Sequence, residues 1–184
     1  MLIIDQNLKS LVKQHKICED FNLIDHNCLH LKLHYKHYRL VGDEKHIVRY
    51  GYPIENIKEL YEEKSEECAF ITLKPGEQVL ACSYDQFHLP DNVFGLVQTK
   101  GSLARLFVQI TCNDGQVDPG FKGHITFEIV NLSPMTIEIP VYSKVGQLYL
   151  FSTSMKTSNP YHKHGRYANK SLVGPTLPIF NGQN

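Results

Sequence analysis

From Ala69 to Phe151 the chain is cut at close intervals by turn signals, and every piece between them is short. The pieces are "AFITL", "QVLACSY", "FGLVQTK", "RLFVQITC", "HITFEIVN", "MTIEIPV" and "VGQLYLF". The separators include "KPGE", "NDG", "DPG" and "NLSP". Pro-Gly and Asp-Gly pairs are strong turn formers. Short strands at this spacing predict a mainly β fold, an antiparallel barrel or sandwich.

Ahead of that region the pattern changes. "DQNLKSLVKQHKI" predicts a short helix that Asp5 can cap, with Leu8, Leu11 and Val12 on one apolar face. In "NCLHLKLHYKHYRLV", Leu29, Leu31, Leu33 and Tyr35 alternate with His30, Lys32, His34 and Lys36. That is the pattern of a half-buried strand with a basic outer face. Residues 42–67 are polar and hold at most a short acidic helix around "IENIKELYEEK". The tail "NPYHKHGRYANKSLVGPTLPIF" is polar, punctuated by glycine and proline, and expected to be loop. A length of 184 residues suits a single domain, 1–184, with 152–184 as a C-terminal tail or lid.

Several function classes are disfavoured. Lysine plus arginine equals aspartate plus glutamate at 19 each, so the chain lacks the basic footprint of a nucleic-acid binder. No apolar run approaches the roughly 20 residues of a membrane span, and "MLIIDQNLKSLVK" does not read as a signal peptide. Five widely spaced cysteines without a CxxC pair are expected to be reduced and mostly buried, as in a cytoplasmic protein. Neither GxxxxGK[ST], GxGxxG nor GxSxG occurs. Ten histidines invite a metal. His30 and His34, however, would stand about 13 Å apart on a strand, too far for one ion, and read as a solvated face. "HKH" at 162–164 reads as surface loop. The zinc-deaminase signature, H-x-E followed by P-C-x-x-C, is missing.

The stretch "VDPGFKGHITFEIVN", residues 117–131, holds the residue that most needs explaining. Ile125, Phe127 and Ile129 point one way; His124, Thr126 and Glu128 point the other. A glutamate here is either a solvent-facing strand residue or a functional carboxylate whose pKa partial desolvation raises.

The larger segment "LPDNVFGLVQTKGSLARLFVQITCNDGQVDPGFKGHITFEIVN", residues 89–131, resembles the core of the dCTP deaminase family, relatives of the trimeric dUTPases. The family pattern GRSSLAR is met by "TKGSLAR", and DPGFxGxxxLE by "VDPGFKGHITFE". The spacing from Arg105 to Glu128 matches the family without a gap. "LKPGEQVLACSYDQFHLP" and the G-Q-L strand in "PVYSKVGQLYLF", which contains Gln147, follow in register. The resemblance implies a distorted antiparallel β-barrel of the dUTPase-like, β-clip type. It also implies a homotrimer with active sites between subunits. The implied activity is conversion of dCTP to dUTP and ammonia, a source of precursor for dTTP. Mg2+ is expected to accompany the triphosphate, and no zinc is expected to activate the water.

On this resemblance each residue gains a role. One carboxylate that alternates between base and acid can serve every proton transfer of cytosine deamination, and Glu128 fits that part. Arg105 helps position Glu128 and the substrate, and its permanent charge can stabilise charge on the pyrimidine. Ser102 either contacts phosphate or only shapes the turn. Asp118 contacts the deoxyribose 3′-hydroxyl region or orients a water that attacks phosphorus; before Pro-Gly it is also a good turn former. His124 shares the Glu128 face and either lines the pocket or packs. Gln147, in the G-Q-L strand, is carried over as a substrate contact. In the tail, Arg166 and Lys170 suit polyphosphate, and Tyr161 or Tyr167 can cover the base or sugar as a lid closes.

Two positions depart from the pattern. Lys100 stands where an arginine normally meets the triphosphate, and a lysine binds phosphate only as a point charge. Gly101 stands at the first serine, whose hydroxyl normally helps hold the reacting group or water. Three readings therefore remain open: a dCTP deaminase using Glu128, a dUTP diphosphatase or bifunctional enzyme using Asp118, and a deoxynucleotide-binding or regulatory module without turnover.

Overall fold

The computed structural model describes residues 1–50, 52–54, 57–168 and 174–179. In chain order its strands begin with β1 (Leu29–Lys32), β2 (His37–Leu40), β3 (Tyr61–Lys64), β4 (Phe70–Leu73) and β5 (Gln78–Cys82). They continue with β6 (Phe87–His88), β7 (Val93–Thr99), β8 (Val108–Gln109), β9 (Gln116–Val117) and β10 (Lys122–Gly123). The last three are β11 (Thr126–Asn131), β12 (Ile137–Pro140) and β13 (Lys144–Ser152). The helices are α1 (Asp5–His15), α2 (Ile57–Leu60), α3 (Gly101–Ala104) and α4 (Tyr161–His164).

These strands fall into four sheets, all paired antiparallel. A five-stranded sheet runs β3-β2-β5-β11-β8, and a four-stranded one β1-β13-β7-β9. Two-stranded ribbons β10-β6 and β12-β4 complete the set. The mainly β architecture is as expected, but the sheets do not close on one another as a continuous barrel. Short strands broken by turns leave the hydrogen-bonded ladder interrupted between sheets.

One apolar cluster joins both large sheets and α1. It includes Leu29, Leu31, Leu148 and Leu150 from the four-stranded sheet, and Val79, Ala81, Phe127 and Ile129 from the five-stranded one. Leu8 and Val12 supply the helix face, and both are fully buried. Burying each such side chain stabilises by about 1.5–3 kcal/mol relative to exposure. The "NLSP" turn is closed by Asn131, which is itself buried. Its amide donates to the carbonyls of Leu73 and Met135, and its Oδ1 accepts from the Ser133 amide and hydroxyl.

Several local expectations differ from what is found. Ile4 holds the N-cap position of α1 and makes no side-chain cap; Asp5 is the first helical residue, at φ 51°. Its carboxylate instead sits in the first turn, where the helix dipole favours an anion. The acidic helix around residue 60 is a single turn, and Tyr61–Lys64 is a strand on β2. Residues 55 and 56 of that expectation lie outside the described ones. "RLFVQITC" pairs only at Val108–Gln109, because α3 and a left-handed Phe107 at φ 59° break the run before it. The basic face expected over residues 30–36 is not solvated throughout: His34, just past β1, is buried, its Nδ1 accepting from the Lys36 amide. The cysteines are free; Cys18, Cys28 and Cys82 are buried and Cys112 is exposed. No helix among the described residues is long and apolar enough to cross a membrane.

Candidate active site

Strand period decides the direction of Glu128. Phe127 and Ile129 are fully buried in the core, so Thr126 and Glu128 face the other side of β11. That side is only partly open to water, with Thr126 and Glu128 both half-buried. It forms the floor of a cleft of about 260 Å³ that Glu128 shares with Thr111, Asp114, Gln116, His124 and Thr126. Tyr161, Tyr167, Thr176 and Pro178 of the tail line it from above. Glu128 Oε2 is buried and has no hydrogen-bond partner. Burial, and then the negative charge of Asp114, pushes the carboxyl up to about 7. At neutral pH such a group is divided between its acid and base forms, the condition for moving protons both ways.

The tail is held over the cleft by backbone bonds to the Asp-Pro-Gly turn. The Tyr161 amide donates to the Pro119 carbonyl at 3.0 Å and the His162 amide to the Gly120 carbonyl at 3.2 Å. The Thr176 amide donates to Thr126 Oγ1 at 3.2 Å. Gly120 has φ +81°, and a Cβ there would meet Pro160 Cβ at 2.7 Å. The glycine thus permits both the turn and the close approach of the tail.

A second cleft of about 690 Å³ adjoins the first and shares Asp114, Gln116, Tyr161 and Tyr167 with it. Asp118 and Arg166 line this second cleft. The two candidate carboxylates, Glu128 and Asp118, therefore serve neighbouring spaces. His124 lines the Glu128 cleft with its ring committed elsewhere. Its Nδ1–H donates to the Ser83 carbonyl at 2.8 Å, which leaves Nε2 to accept from Gln86 at 3.2 Å. These two contacts fix the orientation of the ring.

A family model described as dCTP deaminase-like matches residues 2–153. The chain belongs to the dCTP deaminase-like family. Among curated relatives, "dCTP deaminase, dUMP-forming" of Kocuria rhizophila is 41% identical over 106 residues, 56% of this chain and 55% of that protein. The protein of the same name from Acidothermus cellulolyticus is 43% identical over 89 residues, covering 48% of this chain and 47% of its own. The chain spans about half the length of these curated relatives. The crystal structure of 2′-deoxycytidine 5′-triphosphate deaminase from Agrobacterium tumefaciens superposes with a TM-score of 0.57 at 18% identity, covering 81% of this chain and 47% of that one. That likeness bears on the fold.

In this dCTP deaminase-like chain the remaining expected residues stand apart from Glu128. Lys100 precedes α3, and Gly101 and Ser102 are exposed on it. Arg105 is exposed, its Nη1 donating to the Gly101 carbonyl at 3.0 Å. None of the four lines the Glu128 cleft within one chain. Gln147 lies on β13 opposite His30, donating to Cys28 Sγ at 3.3 Å. Lys170 lies outside the described residues. Sequence reading passed over Asp114, which read only as part of the "NDG" turn, and Gln116; both line both clefts. A carboxylate one turn before the Asp-Pro-Gly motif was the available signal.

Proposed function

We propose that this chain is a hydrolase that deaminates dCTP without zinc, with Glu128 moving the protons, and that it carries the product on to dUMP. The observation that supports this most is Glu128 Oε2, buried and unpartnered in a cleft, on a carboxyl poised near neutrality. In the ionised form Glu128 takes a proton from water as the oxygen adds to C4 of cytosine. It passes that proton to ring N3, then moves a second proton to the amino group, which leaves as ammonia as the carbonyl forms.

The SLAR residues complete the site across subunits in this reading. In a symmetric trimer the loop at Lys100–Arg105 of one copy can reach the Glu128 cleft of the next. Arg105 then stabilises charge on the pyrimidine, and Lys100 and Ser102 meet the triphosphate. Gly101 offers an amide in place of a hydroxyl. Mg2+ enters with the nucleotide as part of the substrate.

The end product of dUTP expected from sequence gives way here to the bifunctional alternative. Its support is twofold: the relatives are named dUMP-forming, and Asp118 sits in a cleft that adjoins that of Glu128. A water oriented by Asp118 attacks the α-phosphorus and pyrophosphate departs. The balance is one dCTP and two waters to dUMP, ammonia and pyrophosphate. Incubation with Mg2+ and dCTP should yield ammonia and pyrophosphate in equal amounts. Accumulation of dUTP with ammonia alone would confine the chain to deamination. Saturable dCTP binding with neither product would remove the enzyme reading.

A further inference from the structure

Beside β1, an edge strand of the four-stranded sheet, Asp25, Cys28 and His30 bring three different ligand types together. One ligand atom from each lies within 4.8 Å of the other two. The local sequence explains the convergence. A four-residue turn folds Asp25 back, closed by its amide donating to the Cys28 carbonyl at 2.9 Å and by the Ile24–Leu29 bridge. Strand alternation then puts Cys28 and His30 on one face. His30 Nε2 stands 3.2 Å from Asp25 Oδ2, and its Nδ1 is buried with no partner. For Nε2 to ligate, the ring carries its proton on Nδ1 and turns the Nε2 lone pair toward the Asp25 carboxylate, a pairing that a cation between them satisfies.

We infer that Asp25, Cys28 and His30 form a binding site for one borderline divalent transition-metal ion of the Zn2+ type. Mixed sulfur, nitrogen and oxygen ligands suit such an ion, and a hard cation such as Mg2+ would not select a thiolate. From Zn–ligand bonds and tetrahedral angles, neighbouring ligand atoms should stand about 3.4–3.6 Å apart. The Asp25–His30 pair is already inside that spacing, and the widest pair must close by roughly 1 Å, within reach of side-chain rotation. Water takes the fourth position. The thiol proton goes to solvent on binding, and thiolate plus carboxylate cancel the ion's charge. Gln147 Nε2, 3.3 Å from Cys28 Sγ, would donate to that thiolate. The Asp25 side chain is 41% exposed and gives the ion an entrance. The site would tie the turn at 25–28 to the sheet through β1 and its neighbour β13. Within one chain it shares no residue with the Glu128 cleft, and it assigns no metal to the deamination.

Cobalt titration of the full chain, stripped of metal and kept reduced, tests this. The expected result is a thiolate-to-cobalt charge-transfer band and tetrahedral d–d bands that saturate at one equivalent per chain, with Zn2+ displacing cobalt. Cys28→Ser should abolish the charge-transfer band, and both it and His30→Gln should weaken binding by about 100-fold or more. Gln147→Leu should keep the band and weaken binding by about tenfold. Cys112→Ser and the double variant His162→Ala, His164→Ala should bind as the parent does. If the buried Cys28→Ser fails to fold, Asp25→Asn, altered at the surface, should still lower affinity by about tenfold. No thiolate band, a band that survives Cys28→Ser, or one lost with Cys112 or the 162–164 histidines would each overturn the inference.

Discussion

Glu128 is held against opposing demands: its backbone belongs to a core strand, and its carboxyl belongs to a partly closed cleft in which Oε2 is buried. Glu128→Gln should lower ammonia release by at least about 100-fold, because the amide cannot accept the water proton, while dCTP affinity stays within a few-fold. The same variant has a stability signature. The carboxyl titrates near 4.5 when exposed and near 7 in the fold. Below pH 4.5 both states are protonated and the residue costs nothing. Between 4.5 and 7 the unfolded chain loses the proton first, so stability falls as pH rises, and the full cost stands above 7. Glu128→Gln should therefore stabilise by about 1–3 kcal/mol at pH 8 and little at pH 4.5. Urea unfolding at the two values measures it, and equal effects would contradict the raised titration. Asp114 adds to the shift, so Asp114→Asn should move the acid limb of the pH–rate profile to lower pH.

At the scale of elements, the tail and the Asp-Pro-Gly turn act as one unit. Gly120→Ala would place a Cβ against Pro160 at φ +81°. The cost should be about 1–3 kcal/mol from backbone strain, read by urea unfolding. Limited proteolysis should find the tail at 157–165 released. The alternation of residues 125–129 was fully legible, since a buried face fixes strand phase. The ends of α1 and of Tyr61–Lys64 were not. Their limits follow from pairing with β2 and from a cap position taken by Ile4, which composition does not encode. The Asp25–Cys28–His30 cluster was invisible for a similar reason: the spacing D-x-x-C-x-H becomes a site only once a turn closes and a strand begins.

At the scale of the whole molecule, the SLAR loop and the Glu128 cleft do not meet within one chain. Large apolar side chains are exposed near that loop: Leu106, Phe107, Leu132 and Met135. Phe107 is 67% exposed on left-handed backbone, and its carbonyl accepts from the Leu132 amide. Sedimentation should report a particle of about three times 21.1 kDa. Phe107→Glu should shift it toward smaller species and lower ammonia release with it, although Glu128 is untouched. A monomeric parent with full deamination would refute the shared site.

What the sequence alone determined is the β class, the phase of each well-alternating strand and the family, since these rest on local periodicity and on motifs read in line. Tertiary structure alone decided what lies opposite each polar face. Glu128 and His30 were both legible as outward residues of a strand. Only the folded tail over one, and the turn beside the other, made those outward faces dry enough for chemistry, because desolvation depends on neighbours that are distant in sequence.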